Sequence, residues 1–170
     1  MWMWIILGSL IGVVAIFLIF TGLMDRKRTK RLKIKNRQLA ELRKDATSLI
    51  AIWVSIVIEH NSDALSRFIP SIGHFKMKDI RESAKKSLNL LINKTPYQLI
   101  KDSDDLQEKE VKQKLHELLH SSSNNWMKNH LKTIDFFQKL AKTANENEKN
   151  QVFYQEAHTT IKGVYDEFCQ

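Results

Sequence analysis

Helix breakers are scarce in this 170-residue chain: there are two prolines, Pro70 and Pro96, and five glycines, of which Gly8, Gly12 and Gly22 fall near the N-terminus. Such scarcity excludes the turn-dense β-sandwiches and barrels. The sequence contains no glycine-rich phosphate loop, no nucleophile elbow and no paired-carboxylate signature. Cys169 is the single cysteine. A disulfide framework is thereby excluded, a reducing compartment is expected, and the position misses the fourth-from-last place that prenylation needs. Charge is absent from Trp2 to Met24, and internal repeats and long low-complexity tracts are absent throughout.

The uncharged run Trp2 to Met24 is the strongest signal present. As a helix rising ~1.5 Å per residue it reaches ~34 Å, enough to cross the ~30 Å hydrocarbon layer of a bilayer. The charges follow this run rather than precede it, which is the reverse of a cleavable signal peptide, so residues 1–24 are expected to be a retained transmembrane signal-anchor. Arg26, Lys27, Arg28, Lys30, Arg31, Lys33, Lys35 and Arg37 come next, whereas nothing basic but the α-amino group precedes the run. The positive-inside rule places the N-terminus outside and the remainder at the cytoplasmic face of a cell membrane. Trp2 and Trp4 fit an outer interfacial belt. Gly8 and Gly12 form a GxxxG pair, through which two copies can associate as a homodimer.

The formal charge of +8 suggests nucleic acid until it is located. Residues 25–45 hold ten Lys/Arg against three acids, and residues 46–170 hold seventeen against sixteen. The basic character belongs to a juxtamembrane helix, 25–45, so the eight cations are expected to bind anionic inner-leaflet lipid, and nucleic acid is not an expected partner.

Apolar spacing of three and four residues recurs through the rest of the chain, which predicts an all-α fold: one N-terminal transmembrane helix followed by a four- to five-helix cytoplasmic bundle, 46–170. Leu32, Leu39, Leu42, Ala46, Leu49, Trp53 and Ile56 form one seam, broken by Lys35, and predict a helix running from the bilayer into the bundle. Residues 46–58 are apolar nearly all round, as in a helix enclosed by others. At ~20 Å they are too short to span, although a re-entrant placement remains open. Asn61 to Lys76 reads as irregular. A helix on Met77, Ile80, Ala84, Leu88 and Leu91 follows, then a capping box at Thr95-Pro96-Tyr97-Gln98 and a Ser103 cap for a stripe of Val111, Leu115, Leu118 and Leu119. Two further helices are expected to bury Met127, Leu131, Ile134, Phe137 and Ala141, and Phe153, Ala157, Ile161, Val164 and Phe168.

His116-Glu117-Leu118-Leu119-His120 is an HExxH sequence, and over these five residues it resembles the zincin metallopeptidase motif. The resemblance implies zinc held by His116 and His120, with Glu117 as general base. Against it, the helical wheel turns both histidines about 100° away from the apolar stripe. Serines, not apolar residues, follow the motif, and Trp126 stands where a metzincin has its third histidine. Ala157 to Gly163 is similar to the H-x-L-K-G stretch of histidine phosphotransfer bundles, with one residue too many. His130 lies among apolar positions, where a hydrogen-bonded core histidine is expected. Phe136 projects nearly opposite the stripe of its own helix and is the candidate partner contact.

Three functions follow from these features. The first is a non-catalytic, membrane-anchored interaction module without a cofactor, acting as adaptor, regulator or assembly factor for a membrane-protein partner. The second is an HExxH zinc peptidase. The third is a membrane-acting effector such as a toxin, a holin-like factor or a phage superinfection-exclusion protein.

Overall fold

The computed structural model describes residues 2–68, 76–122, 125–144 and 148–169; side chains 3–16, 18, 19 and 149 lie outside the description. The described residues form six helices and no strand: α1 (Trp2–Arg67), α2 (Met77–Ile92), α3 (Thr95–Ile100), α4 (Leu106–His120), α5 (Trp126–Ala141) and α6 (Glu148–Phe168). The all-helical expectation is met. The chain divides into two compact units, Met1–Glu41 and Leu42–Gln170. Among the described residues no helix is long and apolar enough to cross a membrane. The apolar run that the sequence assigns to a span falls mostly on side chains outside the description, as do Gly8 and Gly12.

In the second unit the distal part of α1 is the centre of a bundle. From Ala46 to Ile58 every side chain is buried except Ile52 and Ser55, which are half-buried. The all-round apolar pattern has this outcome because helices pack on more than one side of it. The Trp53 indole Nε1 donates to the Ser87 carbonyl of α2 at 3.0 Å, and its ring meets Phe153 of α6 at 5.9 Å. The Ser48 hydroxyl pairs with Thr143 beyond α5 at 3.0 Å. Around this axis α2 packs on α6 and α4, and α4 packs on α5.

Local signals explain the helix starts, with two corrections. At α2 the Asp79 carboxylate accepts the Lys76 backbone N–H at 2.5 Å, satisfying a donor at the helix start. The α4 cap is Asp105 rather than Ser103. The Asp105 Oδ1 accepts from the Gln107 and Glu108 N–H groups at 2.9 and 3.2 Å, while the Ser103 hydroxyl accepts the Asp105 N–H. The carboxylate serves better because it meets the positive end of the helix dipole. The capping box expected at Thr95 does not form. Thr95 is already helical, and the Gln98 amide donates instead to the Ile92 carbonyl at 2.7 Å.

Two further expectations shift. α1 continues to Arg67, so Asn61 and Ala64, read as irregular, are wholly buried helical residues. Nothing from Asn61 to Arg67 breaks a helix, and Asn61 finds a side-chain partner inside the bundle. Pro70, Gly73 and His74 lie outside the described residues. The buried stripe of α5 is Trp126, His130, Thr133, Phe137 and Leu140, one residue out of step with the reading from Leu131. Trp126 decides the register, since its large ring is nearly fully buried while Leu131 is 61% exposed.

Replacing Trp53 by alanine should cost about 3–5 kcal/mol through the cavity left, whereas Leu131→Ala should change stability by less than about 0.5 kcal/mol. Denaturant unfolding of the detergent-solubilised full chain measures both. Equal losses would contradict the packing described.

Candidate functional site

The HExxH residues occupy the last turn of α4. His116 and His120 stand with ring centroids 4.2 Å apart, both exposed, and the Glu117 carboxylate, also exposed, accepts from the Gln113 side chain at 3.1 Å. Among the described residues no group of three His, Cys, Asp or Glu side chains can hold a metal ion. A catalytic zinc centre takes three protein ligands and one open position. The motif here offers two imidazoles in water.

Phe136 has a seat of its own. The ring is half-buried against the core, meets Phe137 edge-on at 5.1 Å, and lies 4.9 Å below the Lys114 ammonium of α4. The cover comes from α4, a different helix of the bundle. Within the first unit all eight cations from Arg26 to Arg37 are exposed, and only Arg37 makes an ion pair among the described residues, with Glu41 at 3.4 Å.

Two constellations were not legible beforehand. One is a buried polar cluster joining α1, α5 and α6. The Tyr165 hydroxyl donates to the Asn61 Oδ1, and the Asn61 amide nitrogen lies 3.4 Å from His130 Nε2. The His130 ring stacks on Trp126 at 5.6 Å. On the outer side the His60 ring stacks on Tyr165 at 5.3 Å and stands 5.4 Å from His158. Burial lowers the pKa of His130. Burial and the neighbouring His158 lower that of His60, with Asp63, Glu59 and Asp166 acting in the opposite sense. Burial raises that of the Tyr165 phenol. The cluster is built for neutral groups, and its chemistry is structural: it fixes which face of α1 meets α5 and α6.

The second is an open groove of about 420 Å³ walled by Leu42 and Leu49 of α1, Pro96 and Leu99 of α3, and Val152 and Phe153 of α6. An ion pair between Lys94 and Glu156 marks its rim, and the Lys94 ammonium lies 5.8 Å from the Trp53 ring centroid. The α1 residues belong to the seam readable in the sequence. Its other walls come from helices that only the folded chain brings together.

The depressed histidines give a signed pH dependence. Each binds fewer protons folded than unfolded, so stability is full above the ordinary value of 6.5 and is lost as pH falls below it. Unfolding midpoints of the full chain should drop on acidification toward about pH 5, and His130→Gln should flatten that slope; an unchanged slope would contradict the buried placement of the ring. Comparison of the chain with known protein families, curated proteins and solved structures finds no match.

Proposed function

We propose that the chain is a single-pass, membrane-anchored interaction module, non-catalytic, which presents a helical bundle to a membrane-protein partner at the cytoplasmic face. One observation carries the reading: large apolar side chains stand uncovered immediately before a dense run of cations. Phe17 is 66% exposed, Phe20, Leu23 and Met24 are likewise exposed, and the first basic residue follows at Arg26. Uncovered apolar surface of this kind calls for an apolar phase, and the neighbouring Lys/Arg set its orientation.

The near balance of charge in residues 46–170 and the absence of a metal-holding cluster among the described residues favour binding over catalysis. The zinc-peptidase reading loses support because its two histidines stand in water with no third ligand among the described residues. The effector reading has no specific observation in its favour. With Phe136 seated between helices, Val152, which is 60% exposed beside the groove, becomes the better position for contact with a partner.

A photocrosslinking residue at position 152 of the full chain, activated in intact membranes, should trap one specific protein. The same probe at exposed Leu131, away from the groove lining, should trap little. Lipid adducts alone, or scattered protein adducts at both positions, would overturn the reading.

A further inference from the structure

The cations of α1 form an unusual helical segment. Between Asp25 and Glu41 there is no other acid, and Arg26, Lys27, Arg28, Lys30, Arg31, Lys33 and Lys35 have no ion-pair partner among the described residues. Like charges face one another one turn apart at Arg26–Lys30, Lys27–Arg31, Arg31–Lys35 and Lys33–Arg37, and again three apart at Lys27–Lys30, Arg28–Arg31 and Lys30–Lys33. Each such pair weakens an isolated helix. Helices in water ordinarily owe their stability to packing, and here every side chain from Gly22 to Leu42 is exposed. Neither side-chain pairing nor burial within the unit accounts for this stretch being helical.

The arrangement around the axis narrows the compensation. At about 100° per residue the eight cations sweep roughly 220° of the circumference, with Ile34 in their midst. A helix lying flat in an interface separates a broad apolar face from a charged one. Here the roughly 140° free of cations mixes Leu32 with Asp25, Thr29 and Asn36 and is no broad apolar face, so neutralising charge has to reach more than half of the circumference. The segment also has the right length: from Arg26 to Arg37 the rise is about 17 Å. A headgroup layer of roughly 5–8 Å per leaflet, with one further Debye length of about 8 Å, covers most of that rise.

We propose that residues 26–37 are a cationic collar whose helical order depends on an anionic lipid surface. The proposal rests on the anchoring reading, since the collar begins two residues after Met24 and is thereby held at the headgroups. That continuity favours lipid over nucleic acid, the other polyanion able to neutralise it.

The test is amide hydrogen exchange across residues 25–41 of the full chain, reconstituted in vesicles of phosphatidylcholine alone or with phosphatidylglycerol added. Exchange should be about tenfold slower in the anionic vesicles, and high salt should abolish the difference. A variant carrying Lys30→Gln, Arg31→Gln, Lys33→Gln and Lys35→Gln should be protected alike in both, because its self-repulsion is gone. Equal protection of the unaltered chain in both vesicles would overturn the collar while leaving the anchor standing. Protection conferred by an added oligonucleotide but not by anionic lipid would also overturn it. A chain that floats with neither vesicle would instead overturn the anchor, and the collar with it.

Discussion

The segment from Ala46 to Ile58 must be covered on nearly every side, and the rest of the second unit is arranged to do so. Thirteen consecutive residues with almost no polar face leave no orientation in which one flank meets water. α2 and α6 receive the Trp53 side chain, whose indole N–H would be an orphan donor but for the Ser87 carbonyl. Apolar burial supplies the stability, and that single hydrogen bond satisfies the indole N–H inside the core. Helices α4 and α5 then close the bundle through α2 and the α1 contacts of Asn61 and Ser48.

Specificity comes from polar groups placed where the apolar pattern alone would allow α1 to rotate. Asn61 has two kinds of polar atom and engages a different helix with each: Oδ1 accepts from Tyr165 of α6, and Nδ2 faces His130 of α5. A turn of α1 by one residue would strand all three groups in an apolar interior. The same neutrality that makes the cluster compact exposes it to acid, since a protonated imidazole would have to be accommodated beside Trp126 or beside His158.

Much of the architecture was legible because helical periodicity is a local property. The enclosure of residues 46–58, the α4 stripe and the buried His130 all follow from spacing in the sequence. Errors arose where a competing side chain decided the outcome. Asp105 outcompeted Ser103 as a cap, Trp126 outweighed Leu131 in setting the α5 face, and a partner on α6 drew Asn61 into the helix. Site chemistry was less legible. The groove depends on α3 and α6 arriving beside α1, and the Phe136 seat depends on Lys114 of α4; no spacing rule within one helix encodes either. The HExxH pattern shows the converse, a sequence motif whose fold context places it in water.

Along α1 the chemistry passes from an uncharged apolar run through a cationic stretch to a core segment, without a proline from Trp2 to Arg67. That ordering underlies the functional account, and its first step, an N-terminal segment embedded in lipid, is the claim on which the others stand. Alkaline carbonate extraction of membranes containing the full chain tests it most directly. The protein is expected to stay with the membrane pellet; release of the intact chain into the supernatant would refute a lipid-embedded N-terminus.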